Sequence, residues 1–150
     1  MKLADAIKYM EADASRLNPA LRGAAVESFV IDSREARAGA CFFALSQPEY
    51  QNNCFNGDFE DSTKYAAAAL EIGATAAIVR SDRYEEHQAE LEKYADRLIF
   101  ADDVIIAFQK LAHGVYLEWN KPVVAVTGSA GKTTAKELTA HILENRDARF

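Results

Sequence analysis

Cysteine is scarce in this chain: Cys41 and Cys54 are the only two among 150 residues. Two thiols are too few for a disulfide framework, so both are read as reduced. Proline and glycine are also sparse, at three and seven. No low-complexity segment and no internal repeat stands out. Positive charge is in deficit. Lys and Arg number 17 against 23 Asp and Glu, for a net charge of −6, so no nucleic-acid partner is expected. No apolar run approaches the ~20 residues of a membrane-spanning helix. The opening Met1-Lys2-Leu3-Ala4-Asp5 lacks the apolar core of a secretory leader. His87, His113 and His141 are scattered, with no Cys or His partner at metal-ligand spacing. What remains is 49% hydrophobic and 27% charged, ordinary for a soluble globular protein with one real core. A cytoplasmic location is expected.

The richest stretch runs from Val123 to Thr134: Val-Val-Ala-Val-Thr-Gly-Ser-Ala-Gly-Lys-Thr-Thr. An apolar run enters a glycine-bracketed turn, and an amphipathic segment follows. That order suits a strand, a phosphate loop and a helix start. A bound triphosphate needs inward backbone N–H groups and no obstructing side chains, which Gly128 and Gly131 permit. A helix starting near Lys132 adds free N–H groups and a positive dipole end. The expected ATP-binding residues are Gly128, Ser129, Ala130, Gly131, Lys132, Thr133 and Thr134. Lys132 would reach the β- and γ-phosphates, and the Thr133 hydroxyl would coordinate Mg²⁺. Lys132 and Thr133 are the catalytic candidates. The match to G-x-x-x-x-G-K-[ST] is partial, because its first glycine falls on Val126. A Gly-rich surface turn is the plainer alternative. Ala135, Leu138 and Ile142 give the following helix one apolar face.

Upstream, strands and helices alternate, which argues α/β. Leu3, Ile7, Met10 and Ala14 predict a helix over residues 2–14, broken at Asn18-Pro19. Strands are predicted at Val26–Ile31, Cys41–Leu45, Ala74–Val79 and Arg97–Ala101. Phe42 and Phe43 are read as core. Ser46–Asp61 reads as a loop. A helix follows from Ser62, capped by Asp61 or Ser62, with Tyr65, Ala69 and Ile72 on one side and Gly73 at its end. Tyr84–Tyr94 is predicted as a charged helix. Another helix, capped by Asp102 or Asp103, carries Val104, Phe108, Leu111 and Val115 as its stripe and ends near Asn120. Lys121-Pro122 is the joint. Residues 1–120 are therefore expected to form a small domain, and 121–150 the first strand–loop–helix unit of another.

Three segments resemble the Mur ligases, the family that builds the peptide of bacterial cell-wall precursors. The first is Asp32-Ser33-Arg34 with Gly39-Ala40-Cys41-Phe42-Phe43-Ala44-Leu45. The second runs from Asp61-Ser62-Thr63-Lys64-Tyr65 through Ala69-Leu70 to Gly73-Ala74. Here Ser62-Thr63 stands where the family usually has Gly-His, and the stretch Ser46–Glu60 is longer than usual. The third is Thr127-Gly128-Ser129-Ala130-Gly131-Lys132-Thr133-Thr134-Ala135-Lys136-Glu137, which looks most like the MurF type.

The resemblance implies a small N-terminal α/β domain that holds the UDP end of the substrate, followed by the start of a central ATPase domain. It implies a ligase using ATP and Mg²⁺ to join D-alanyl-D-alanine to UDP-N-acetylmuramoyl-tripeptide through an acyl phosphate. It carries Ser33 and Arg34 over as UDP contacts. Ala44, Leu45, Ser46 and Thr63 are further candidates for that pocket. Read without the resemblance, Asp32-Ser33-Arg34 is a strand-ending turn with local hydrogen bonds, and Thr63 belongs to a helix's first turn. The 150-residue chain alone is expected to be an inactive, monomeric fragment. Three alternatives stay open: a MurE-type ligase that adds the third peptide residue, a stand-alone UDP-sugar-binding module, and an unrelated phosphoryl-transfer enzyme.

Overall fold

The computed structural model describes residues 1–145. It divides into two units, Met1–Glu118 and the segment from Trp119 onward. The last five residues of the expected second unit, 146–150, lie outside the described residues.

The first unit is a four-stranded parallel sheet whose strands sit side by side in chain order. They are β1 (Ser28–Val30), β2 (Ala40–Phe43), β3 (Ala76–Val79) and β4 (Leu98–Phe100). Parallel strands need crossovers: α2 (Gln47–Asn52) and α3 (Ala66–Ile72) lie between β2 and β3, and α4 (Ser81–Glu86) and α5 (Gln88–Leu91) between β3 and β4, while α1 (Leu3–Met10) precedes β1 and α6 (Val104–Trp119) follows β4. Every residue of β2 and β3 is buried, as both faces of an α/β sheet are covered.

Strand alternation sorts the core into two layers. Phe43, Ile78 and Ile99 pack with Leu3, Ile7 and Met10 of α1 and Leu111 of α6. Phe42, Val79 and Leu98 pack on the other face with Ala66, Ala69 and Leu70 of α3. Phe42 and Phe43 are fully buried, as read from sequence; each is worth about 1.5–3 kcal/mol relative to exposure.

Several elements differ from their sequence reading. The first helix stops at Met10, where Glu11 adopts a left-handed φ of 53°. The expected loop after Ser46 opens with α2. Ser46-Gln47-Pro48-Glu49 is a capping box with proline in the first turn, a helix-start signature. The helix expected over Tyr84–Tyr94 breaks at His87 and continues as α5 and a 3₁₀ turn, Glu92–Arg97. The helix from Ser62 begins with a 3₁₀ turn, Ser62–Tyr65, capped by Asp61. Its core face is Ala66, Ala69 and Leu70, while Tyr65 and Ile72 are exposed. Val115 of the α6 stripe is also exposed.

In the second unit α7 spans Lys132–Glu144, starting where the loop reading places it. The apolar run before it forms no strand, and Val123 and Val124 are exposed. A strand needs a partner for its N–H and C=O groups, and none pairs with this run among the described residues. Leu138 and Ile142 of α7 are likewise exposed.

Candidate functional site: a cleft at the strand ends

The carboxyl ends of parallel strands are where open α/β sheets bind ligands. β1 ends at Val30 and runs into Ile31, Asp32, Ser33 and Arg34. These four line a cleft of about 540 Å³, with Phe42 and, from the segment before α3, Glu60, Ser62 and Tyr65. The sequence blocks around residues 32–34 and 61–65 thus meet in one cleft.

The first wall is built by Asp32. Its carboxylate accepts from the Arg34 backbone N–H at 2.9 Å and opens the turn Ser33–Glu35. It also takes the Arg34 side chain, at 2.9 Å from Nε and 2.5 Å from Nη2. Those bonds hold the Asp32 carboxyl down at about 2. The Arg34 side chain is 88% exposed, so its guanidinium still faces solvent.

The second wall is held at both ends. Ser62 N–H donates to the Leu45 carbonyl at 2.8 Å, and Asp61 accepts from Thr63 N–H at 2.8 Å. Tyr65 Oη donates to Glu60 Oε2 at 2.7 Å, and Lys64 pairs with the same carboxylate. Lys64 first, then Tyr65, holds Glu60 below the usual carboxylate range.

Of the candidate UDP contacts, Ser33 and Arg34 line the cleft. Ala44, Leu45, Ser46 and Thr63 do not: all four are buried. Ala44 and Leu45 follow β2 into the core. Ser46 spends its N–H and hydroxyl on Glu49 Oε2, at 2.7 and 3.1 Å. Thr63 lies inside its 3₁₀ turn, and its Oγ1 has no hydrogen-bond partner among the described residues. Ile31, Asp32, Phe42, Glu60, Ser62 and Tyr65 line the cleft without having been site candidates from sequence. The spacing puts Tyr65 with Ala69 and Ile72 on one helix side, but Tyr65 stands in the 3₁₀ turn and both it and Ile72 are exposed.

The phosphate-loop candidates Gly128, Ser129, Ala130, Gly131, Lys132, Thr133 and Thr134 form one bend into the start of α7. Gly128 and Gly131 take φ of 150° and 77°, which side-chain-bearing residues rarely adopt. The first helical bond at this end is Ala135 N–H to Gly131 O. The N–H groups of Lys132, Thr133 and Thr134 precede it and have no helical acceptor, the usual arrangement for anion binding. Lys132 Nζ donates to the Gly128 carbonyl at 2.6 Å, so the lysine folds back across its own loop.

One further cluster invites a metal. Asp61, Glu86 and His87 bring ligand atoms within 4.8 Å of one another. Arg83 Nη1, however, lies 2.7 Å from Glu86 and 3.8 Å from Asp61. A cation already neutralises both carboxylates, and we assign no metal there.

No family profile matches the chain. Individual relatives do. It is 32% identical over 123 residues to the UDP-N-acetylmuramoyl-tripeptide–D-alanyl-D-alanine ligase of Haemophilus influenzae, covering 82% of this chain and 23% of that protein. The enzyme of the same name from Synechocystis is 32% identical over 118 residues, covering 79% of this chain and 22% of its own length. The UDP-N-acetylmuramoyl-L-alanyl-D-glutamate–2,6-diaminopimelate ligase of Vibrio vulnificus is 28% identical, covering 84% of this chain and 24% of its own. The chain thus spans about a quarter of the length of these relatives. The crystal structure of MurF from Acinetobacter baumannii shares its fold, with a TM-score of 0.67 over 97% of this chain and 28% of the other, at 23% identity. On this ground of sequence and fold, the chain belongs to the Mur ligase family.

Proposed function

We propose that residues 1–120 grip the UDP end of UDP-N-acetylmuramoyl-tripeptide, and that 121–150 begin the ATP-binding domain of a MurF-type ligase. The observation that carries this is the cleft in which Ser33 and Arg34 meet Ser62 and Tyr65. Arg34 offers outward N–H donors in a planar fork suited to phosphate oxygens. Ser33 and Ser62 offer hydroxyls, and Tyr65 offers an aromatic face.

The loop fits a triphosphate. Gly128 to Thr134 would hold ATP, and Thr133 would hold Mg²⁺, which would supply neutralising charge when bound. The ligase reaction makes the tripeptide carboxylate a better electrophile by transferring a phosphoryl group to it. The amine of D-alanyl-D-alanine then attacks the carbonyl carbon and phosphate departs. For such a transfer the protein contributes mainly position and charge, the part given to Lys132. Its ammonium would leave the Gly128 carbonyl for phosphate oxygens.

Among the described residues Val123–Val126 has no strand partner, and Leu138 and Ile142 of α7 are exposed. This chain is therefore expected to show no ligase activity and only weak ATP binding. Calorimetry giving micromolar ATP affinity would contradict that. Titration with UDP-N-acetylmuramoyl-tripeptide tests the first unit: saturable binding without ATP is expected, and none would refute the reading. The MurE-type alternative keeps support from the diaminopimelate-adding relative. Preference of the whole enzyme for the dipeptide over the tripeptide precursor would favour it.

A further inference from the structure

We propose that Gln47 is a positioning residue for this cleft, its carboxamide clamping residues 53–60 so that Glu60 and Tyr65 present one fixed wall to the ligand. The inference rests on the UDP-binding reading. Gln47 Nε2 donates to the Gly57 carbonyl at 2.9 Å, and its Oε1 accepts from Phe59 N–H at 2.6 Å. One amide thus imitates a backbone rung and closes the segment upon itself. Gly57 has a φ of 130°, the reversal that brings its carbonyl and the Phe59 N–H to the same side chain. The Phe59 ring stacks on Tyr50, with centroids 3.8 Å apart and planes 18° from parallel. Phe59 directly precedes Glu60, the first cleft residue of this wall.

The clamp has a firm base. Gln47 is the first residue of α2. Two residues on, the buried Glu49 accepts from Ser46 N–H at 2.7 Å and from Val104 N–H, at the start of α6, at 2.5 Å. The segment is therefore tied at its start by Asn53 Nδ2 to Asp103 Oδ2 at 3.1 Å, just before α6, in its middle to Gln47, and beyond its end by Ser62 N–H to Leu45 O. Phe55 at its tip is half exposed, and the last group along this chain of ties is Glu60. Its carboxylate sets the direction of the Tyr65 hydroxyl and pairs with Lys64. Removing the clamp frees the backbone on which Glu60 stands while leaving the sheet untouched.

The test titrates this chain with UDP-N-acetylmuramoyl-tripeptide in three forms: unsubstituted, Gln47→Ala and Gln47→Glu. Gln47→Ala is expected to weaken binding about tenfold, the effect of one to two lost hydrogen bonds. Its thermal midpoint should stay close to the parent's, and hydrogen exchange at the Phe59 amide should quicken. Gln47→Glu keeps the acceptor for Phe59 and loses the donor for Gly57, so it should fall between. Unchanged affinity in Gln47→Ala beside a parent that binds would overturn the positioning role. So would a Phe59 amide that stays protected. A parent that does not bind would instead sink the UDP-binding reading, and this inference with it.

Discussion

Glu49 is the most consequential buried charge in the first unit. It is fully buried, and its two oxygens serve the Ser46 N–H and hydroxyl on one side and the Val104 N–H on the other. Glu49→Ala strands two buried N–H donors. At about 1–3 kcal/mol for each unsatisfied donor, with partial relief by water, the expected loss is roughly 3 kcal/mol. Glu49→Gln keeps the shape but turns an N–H₂ towards one of the donors, for a loss of about 1–2 kcal/mol. The pH dependence has a definite sign. Burial lifts Glu49 above its ordinary 4.5, outweighing the lowering by the Val104 and Ser46 bonds, and the neighbouring Asp103 adds to the rise. The folded chain therefore holds this proton more tightly than the unfolded one. Its contribution is fully present below about 4.5 and is lost as pH rises through the folded value. Asp32, Glu60, Asp82 and Glu92 are shifted the other way, but both proteins share them, so they cancel in the difference. Urea denaturation of the parent and Glu49→Gln should show a stability gap that narrows from pH 4.5 to neutrality. A gap that is constant or widens with pH would refute the reasoning.

Arg34→Ala should weaken binding of UDP-N-acetylmuramoyl-tripeptide about tenfold by removing charge-assisted hydrogen bonds. It should also let Asp32 rise from about 2 towards its ordinary 3.8, a change that carboxyl NMR titration would follow. Gly114→Ala would drive a methyl carbon into the Tyr9 ring. Forcing that ring aside should cost about 1–3 kcal/mol in urea denaturation. Phe42→Ala, in the core layer beside the cleft, should cost about 3–5 kcal/mol by the same assay.

The α/β pattern was legible because strand residues alternate faces: Phe42 and Phe43 announce a two-sided sheet before any coordinates. The helix start at Lys132 was legible because a glycine-bracketed turn leads there into an amphipathic segment. The Ser46–Glu49 capping box was equally visible but was masked by the Asn- and Gly-rich stretch that follows it. Tyr65 could not be placed from periodicity, since a 3₁₀ turn rotates side chains by a different step than an α-helix. Ser46 and Thr63 are expected in the UDP pocket, and both are buried instead. Their burial follows from the local folding of β2's end and of the turn at Ser62, which spacing does not encode. Val123–Val126 has the composition of a strand but no neighbour to pair with among the described residues.

The central claim is that the carboxyl ends of β1 and β2 grip a uridine-diphosphate ligand. Amide NMR mapping of this chain during titration with UDP-N-acetylmuramoyl-tripeptide tests it most directly. Saturable shifts should gather at Ser33, Arg34, Ser62 and Tyr65. No saturable shift there, or shifts confined to residues remote from this cleft, would contradict the account.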